Sequence, residues 1–131
     1  KDKLEFEIDV EPSILNIPLI KLVLQPIIEN AIYHGLKYKE SKGLLQVKGF
    51  MKDGNAVLQV IDNGVGMDEE TLSHIYDKHK VNYHSNGVGV YNVQKRLKLY
   101  YGENYGITYE SEKGVGTTAT IIIPGIQEES I

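Results

Sequence analysis

Apolar and polar residues alternate at the start of the chain and then change to a helical period. Residues 4–10 read LEFEIDV, in which every second residue is apolar, the pattern of a half-buried strand. Over residues 16–34 the apolar positions follow a helical stripe, with Pro18 in its first turn and Gly35 as its stop. Because Pro26 lies inside this stripe and lacks a backbone N–H, we expect the helix to kink or split there.

The same two periods recur along the rest of the chain and are separated by turn-forming residues. Apolar runs flank the turns, and helical stripes begin after acidic or glycine-rich stretches. In chain order, the patterns predict a hairpin of residues 44–51 and 56–61, a helix over 67–76, a polar mobile loop over 77–86, a helix ending at Gly102, and two strands at 107–111 and 117–123.

This order of elements predicts an α+β fold. Short connections make paired strands antiparallel, so we expect a mixed sheet with helices on one face, a two-layer α/β sandwich. The 131 residues, of which 41% are hydrophobic, suffice for one domain spanning residues 1–131. Since the chain begins without Met, we expect it to be a piece of a longer protein.

Composition excludes several classes of function. The net charge of -4 argues against nucleic acid as a partner. With no cysteine, disulfides, thiolate metal sites and thiol nucleophiles are excluded, which fits a cytoplasmic location. No apolar run approaches the roughly 20 residues of a membrane span, so we expect no membrane contact by this domain. Metal-binding spacing is absent among the four histidines, His34, His74, His79 and His84.

Six of the 13 glycines form three G-x-G pairs, and such a number suggests several loops converging on one ligand. The middle pair, in NGVGVYNVQKRL, does not match a dinucleotide fingerprint because Asn92 stands where the last glycine is required. It is a glycine-rich helix entrance, whose free N–H groups and dipole attract phosphate. The pairs are Gly64/Gly66, Gly87/Gly89 and Gly114/Gly116.

Asp62 ends the apolar strand VLQVID, where a half-buried carboxylate needs hydrogen-bond donors. The exocyclic amine of adenine is one such donor, and Gly64 and Gly66 would let the backbone approach a flat base. Alternatively, Asp62 bonds its own loop in a strand-to-helix turn. A calcium loop is excluded, because glycines occupy the positions of the alternate acidic ligands.

The helix segment QPIIENAIYHG places polar residues among core-like ones. Asn30 offers a neutral oxygen to Mg²⁺, and the adjacent Glu29 could orient a water or a phosphoryl acceptor. Alternatively, both residues lie on a solvated helix edge. Lys78 and Lys80 could reach phosphates from the polar loop, or could simply be solvated.

Together these motifs resemble the ATP-binding domain shared by histidine kinases, DNA gyrase B-type enzymes and heat-shock chaperone ATPases. QPIIENAIYHG is similar to the kinase N box, and DNGVGM, NGVGVYNVQKRL and GVGTTATIIIP to the three glycine boxes, in matching order from about Leu4 to Pro124. LQPIIENAIYHG and YNVQKRLKLYYG look most like the LytS/YesM-type bacterial sensor kinases.

The resemblance implies a Bergerat-type ATP site with Mg²⁺ on Asn30, the adenine amine on Asp62, and residues 77–86 as a lid. Many relatives carry Asn or Glu four residues before the metal-binding Asn, where this chain has Pro26, so we expect no fast intrinsic hydrolysis. The implied catalytic residues are Glu29 and Asn30, and the implied ligand-binding residues are Asn30, His34, Asp62, Gly64, Gly66, Asn86, Gly87, Val88, Gly89 and Thr117.

The reaction implied is transfer of the ATP γ-phosphoryl group to a histidine on a dimerisation region outside this chain. A response regulator would be the eventual phosphoryl acceptor, and the parent protein would be anchored in the bacterial cell membrane with this domain in the cytoplasm. The resemblance leaves open a non-catalytic nucleotide-sensing interaction module and an anti-sigma-type serine kinase of the same fold.

Overall fold

The fold is a five-stranded mixed sheet covered by helices. The structure is a computed structural model, and it describes residues 4–17, 20–36, 42–75 and 87–125. Its elements include the predicted strands and α-helices in the predicted order, together with a 3₁₀ helix and a π-helical turn that the patterns do not predict. They are β1 (Leu4–Val10), a 3₁₀ helix (Pro12–Asn16), α1 (Ile20–Asn30), a π-helical turn (Ala31–Leu36), β2 (Gly43–Lys52), β3 (Asn55–Asp62), α2 (Glu69–Ser73), α3 (Gly87–Tyr101), β4 (Gly106–Glu112) and β5 (Gly116–Pro124).

The sheet has the strand order β1-β2-β3-β5-β4. β1 runs parallel to β2, which requires a crossover, and α1 lies in that connection. A tight turn joins β2 to β3, and its central residues Asp53 and Gly54 both have positive φ, at 55° and 82°. β5 pairs antiparallel with both β3 and β4, so the last hairpin returns to the middle of the sheet.

The helices lie on one face of this sheet, as predicted. Side chains from α1 and α3 pack against alternate residues of the strands, and each large apolar side chain buried there contributes about 1.5 to 3 kcal/mol. The opposite face carries polar side chains, and Gln46 donates to Glu7 across β2 and β1 at 2.9 Å. The core includes Ile20, Val23, Ile27, Leu45, Leu58, Val60, Val90, Val93, Leu97, Ile107, Ala119, Ile121 and Ile123.

The first helix differs from its prediction at Pro26. The expected split is wrong, because α1 runs through Pro26 to Asn30. Proline leaves the carbonyl four residues earlier without its helical partner, but Leu22 at that position is 59% exposed, so water can bond to it. Asn16 ends a separate 3₁₀ turn, and the helical path widens into a π turn directly after Asn30.

β1 has the predicted bounds but is less buried than its alternation indicates. Phe6 and Ile8, expected to face the core, are 52% and 72% exposed. β1 is an edge strand, and the helices cover the centre of the sheet more than this edge. Only Leu4 and Val10, at the two ends of the strand, pack against the core.

α2 is shorter than the helix predicted over residues 67–76. It begins at Glu69 because Asp68 caps it, with one carboxylate oxygen accepting a bond from the N–H of Thr71 at 2.8 Å. It ends at Ser73. The polar loop predicted over residues 77–86 lies outside the described residues.

Candidate functional site

A small cavity lies between α1 and the sheet, at the end of β3. Its volume is about 20 Å³, room for roughly one water molecule. Asn30 and Asp62 are its polar members with the deepest burial, at 4% and 5% exposed. The lining residues are Ile27, Asn30, Ala31, Val60, Asp62, Gly66, Met67, Tyr109, Thr117 and Ala119.

Strand register explains why residues distant in sequence share this cavity. Asp62 of β3 lies opposite Thr117 of β5, which lies opposite Ser111 of β4. Two residues along, the next row on the same face carries Val60, Ala119 and Tyr109. Asn30 reaches these rows from above, at the end of α1.

The amide of Asn30 is held with its oxygen unpaired. Its Nδ2 group donates to the hydroxyl of Tyr109 over a long 3.5 Å contact. Its buried Oδ1 atom has no hydrogen-bond partner within the described part of the chain. A solvated helix edge is therefore wrong for Asn30. An orphaned buried oxygen is costly in the absence of a ligand, and it has the hard-donor chemistry that Mg²⁺ prefers.

For Asp62, the alternative in which the carboxylate bonds its own loop is confirmed, and its binding of the adenine amine stays a prediction. One carboxylate oxygen accepts a bond from the N–H of Gly64 at 2.8 Å, so the side chain does bond its own loop. It also lines the cavity. Burial raises the pKa of Asp62 above its ordinary value of 3.8, and bonds from the N–H groups of Gly64 and Thr117 oppose this rise.

The first and third glycine pairs meet beside this carboxylate. Gly66 has a φ of 73°, and a Cβ atom there would collide with the carbonyl of Glu112. Gly116 has a φ of 149°, and a Cβ atom there would collide with the carbonyl of Asp62. The N–H of Gly114 donates to the carbonyl of Val65 at 2.7 Å. Glycine thus lets the loop after β3 dock directly on the β4–β5 turn.

The remaining predicted site residues lie away from the cavity or lack a described side chain. Glu29 is exposed, and its carboxylate accepts a bond from Gln25 at 3.0 Å, so the structure does not bring it to Asp62. Gly89 is packed against Pro26, joining the start of α3 to α1. For three residues, His34, Gly87 and Val88, only the backbone is described, and Asn86 lies outside the described residues.

Sequence reasoning missed three residues at the site: Met67, Tyr109 and Ser111. The N–H of Met67 donates to the hydroxyl of Ser111 at 2.8 Å. The position of Ser111 and Tyr109 could have been found by extending the pairing of the final hairpin, because a turn centred on residue 114 places Ser111 opposite Thr117.

Clusters of metal-binding side chains and membrane-spanning helices are not found among the described residues. Residues 4–17, 20–36, 42–75 and 87–125 contain no group of three His, Asp or Glu side chains arranged to hold a metal ion. Within the same ranges, no helix is long and apolar enough to cross a bilayer.

The fold and the family match agree on a nucleotide-binding domain of the ATPase type. Residues 16–127 match the family described as "Histidine kinase-, DNA gyrase B-, and HSP90-like ATPase". Since this match covers most of the chain, the protein belongs to that family, and the ATP-binding fold predicted from the sequence is confirmed.

Similar proteins narrow the type within this family. The chain is 31% identical to the sensor histidine kinase YesM of Bacillus subtilis over 95% of its own length, and 34% identical to the sensor protein LytS of Oceanobacillus iheyensis over 79%. It covers 20% and 18% of those proteins. The predicted likeness to LytS/YesM-type kinases is confirmed, and the chain spans about a fifth of the length of these relatives.

A solved structure supports the fold independently. The histidine kinase domain of a blue-light activated histidine kinase from Erythrobacter litoralis EL346 superposes with a TM-score of 0.66, at 18% identity. The match covers 95% of this chain and 56% of that one. The two-layer Bergerat fold is therefore confirmed.

Proposed function

We propose that this chain is the ATP-binding catalytic domain of a bacterial sensor histidine kinase, which passes the γ-phosphoryl group of ATP to a histidine on a dimerisation region of the same protein. The observation that carries the proposal is the pairing of a buried carboxylate, Asp62, with an orphaned amide oxygen on Asn30 at one cavity. Membership of the ATPase family and likeness to sensor kinases support it.

The base would lie against Asp62, with Thr117 beside it and the Gly64-Val65-Gly66 loop beneath. A carboxylate only accepts hydrogen bonds, so it matches the exocyclic amine of adenine. The cavity, of about 20 Å³ and partly open to the surface, is smaller than a purine ring. We therefore expect the larger lining side chains to move when the base binds, for which the flexible Met67 and the half-buried Tyr109 are suited.

Asn30 would hold Mg²⁺ through its Oδ1 atom. Bound Mg²⁺ would neutralise charge on the phosphates, and it would complete its coordination with phosphate oxygens and water. This arrangement fits the structure because Oδ1 is buried and unpaired while Nδ2 is directed to Tyr109. The amide is thus held with its oxygen free of hydrogen bonds to the described residues.

The chemical step itself needs positioning more than covalent help from this domain. An unprotonated imidazole nitrogen forms the new N–P bond while the bond between the γ-phosphorus and the bridging oxygen breaks, and ADP leaves. Glu29 faces solvent, and Asn30, which lines the cavity, has no basic group, so neither predicted catalytic residue is placed to activate water. We therefore expect slow hydrolysis of ATP, which favours transfer to a histidine over loss to water.

The wider setting follows from this reaction. The acceptor histidine would lie on a dimerisation region outside the chain, and a response regulator would receive the phosphoryl group from it. ATP is supplied in the cytoplasm, so we place the domain there, within a parent protein anchored in the cell membrane.

The experiment supplies the histidine-containing region of the parent protein as a separate polypeptide, together with Mg·ATP labelled at the γ-phosphate. The proposal predicts label on that region, stable to base and lost in acid, as expected for a phosphoramidate. An acid-stable phosphoester would instead favour a serine kinase. Tight ATP binding without any transfer would favour a nucleotide-sensing module, and absence of ATP binding would overturn the proposal.

A further inference from the structure

Ser111 lies at the junction of the three segments that form the floor of the cavity. Its hydroxyl contacts the N–H of Met67 at 2.8 Å, the carbonyl of Gly116 at 3.0 Å and the hydroxyl of Thr117 at 2.7 Å. These contacts join the loop after β3 to both strands of the last hairpin. Ser111 is half-buried and is not itself among the residues that line the cavity.

The protons available to these groups determine the direction of every bond. A hydroxyl has one proton to donate and two lone pairs to accept with. A carbonyl can only accept, so Ser111 donates its proton to Gly116. The contact between Ser111 and Thr117 then requires the proton of Thr117. With the N–H of Met67 as its second donor, Ser111 uses both lone pairs and its proton.

This direction fixes what Thr117 presents to the cavity. Its proton is used on Ser111, so only lone pairs remain on its hydroxyl for a ligand. Its strand neighbour Asp62 is a carboxylate at the same cavity. Asp62 and Thr117 thus form an acceptor-rich wall on this side of the cavity.

We propose that Ser111 is a positioning residue for base selection: by taking the proton of Thr117, it makes the pocket accept an amino group and reject a keto oxygen. This inference rests on the proposed nucleotide site at Asp62. It assigns to Ser111 a role in choosing between 6-amino and 6-oxo purines, in addition to its joining of two loops.

A purely structural role for Ser111 predicts a different result. Loosening the Met67 loop alone would weaken the binding of adenine and hypoxanthine nucleotides by the same factor. If Ser111 no longer takes the proton of Thr117, the affinities for the two bases change by different factors. The freed hydroxyl can then donate to the 6-oxo group of hypoxanthine. The ratio of the two affinities therefore separates these roles.

The experiment measures ADP and IDP binding by calorimetry for the wild type, Ser111→Ala and Ser111→Thr. We expect Ser111→Ala to reduce the preference for ADP over IDP by roughly 3- to 10-fold, the value of one neutral hydrogen bond. Ser111→Thr keeps the hydroxyl and is expected to restore the preference. Ser73→Ala removes an exposed hydroxyl that bonds to the carbonyl of Glu70, and it serves as the matched control with an unchanged ratio.

A double-mutant cycle tests the route through Thr117. In a Thr117→Val background there is no proton to direct, so adding Ser111→Ala should leave the ADP/IDP ratio unchanged. If Ser111→Ala does not fold, Thr117→Val alone provides the test, since it should weaken the binding of ADP more than the binding of IDP.

Equal losses of affinity for ADP and IDP in Ser111→Ala would overturn the inference. The same holds for Thr117→Val where that variant is used. A wild type that binds neither nucleotide would instead overturn the proposed function, so the two failures are distinguishable.

Discussion

Asn30 and Asp62 bring two deeply buried polar side chains to one cavity from opposite layers of the fold. They are 4% and 5% exposed, the first at the end of α1 and the second at the end of β3. Burial of a polar group without a partner costs on the order of 1 to 3 kcal/mol. Asp62 recovers part of this cost through backbone N–H groups, whereas the oxygen of Asn30 does not. A bound ligand would compensate both.

Asn30→Ala is expected to abolish the effect of magnesium on nucleotide binding. Removal of the Oδ1 atom takes away the one side-chain oxygen proposed to hold the metal, so Mg²⁺ should no longer increase ATP affinity, a loss of about tenfold or more. Affinity measured with EDTA should stay close to that of the wild type. The measurement is calorimetry of ATP with and without Mg²⁺. Asn104→Ala, in the exposed turn after α3, is the control. A persisting magnesium effect in Asn30→Ala would contradict the metal assignment.

Gly66→Ala is expected to destabilise the fold more than Gly114→Ala. Both glycines have positive φ, at 73° and 88°, so both variants incur the backbone strain of about 1 to 2 kcal/mol. A Cβ atom at Gly66 would also meet the Glu112 carbonyl, while the space around Gly114 is open. Urea unfolding measures the difference, and nucleotide binding should fall in Gly66→Ala alone. Equal losses of stability would show that the close approach of the two loops is unimportant.

The raised pKa of Asp62 predicts a particular pH dependence of stability. The folded state binds the carboxyl proton more tightly than the unfolded chain, whose pKa is near 3.8, so stability falls as the pH rises from 3.8 through the raised pKa. Asp62→Asn has no such proton. Its free energy of unfolding should therefore increase relative to that of the wild type over this window and stay level above it.

Asp68 supplies a control of opposite sign for the same titration. The N–H of Thr71 lowers the pKa of Asp68, so its carboxylate stabilises the fold above 3.8, and this stability is lost as the pH falls through the lowered pKa. Asp68→Asn should lose stability relative to the wild type as the pH rises through that lower window. Urea unfolding over a series of pH values measures both variants. Parallel profiles for Asp62→Asn and wild type would exclude a raised pKa at Asp62.

Local patterns predicted most of the fold because they report local physics. The Asp53-Gly54 turn, with positive φ at both residues, determined the β2–β3 hairpin. The stripe of Val90, Val93 and Leu97 determined α3 and its buried face. Neither depends on where the rest of the chain lies, so the sequence alone was sufficient for both.

The errors arose where the outcome depends on neighbours distant in sequence. The alternation in β1 indicates an inward face, but Phe6 and Ile8 are exposed because this strand lies at the edge of the sheet. Proline chemistry at Pro26 predicts a kink or split, but exposure of the preceding turn allows α1 to continue without a split. These results follow from the assembled layers, which periodicity does not report.

In the candidate site too, local sequence predicted some residues, and others depend on contacts distant in sequence. Asp62 and Asn30 could be selected from sequence because a polar residue within an apolar stretch is chemically conspicuous. The positions of Ser111 and Tyr109 follow from the pairing of the final hairpin, but their roles could not be selected from sequence, since these depend on contacts with the loop at Met67 and with α1. Glu29, adjacent to Asn30 in sequence, points to solvent because successive helix residues face different directions.

Binding of Mg·ATP to the wild type and to Asp62→Asn, measured by calorimetry, tests the central claim most directly. Asp53→Asn, an exposed carboxylate in the β2–β3 turn, is the matched control. The account predicts that wild type and Asp53→Asn bind alike, and that Asp62→Asn binds roughly 10- to 100-fold more weakly, because an amide can present a donor to the adenine amine. No binding by the wild type, or unchanged affinity in Asp62→Asn, would contradict it.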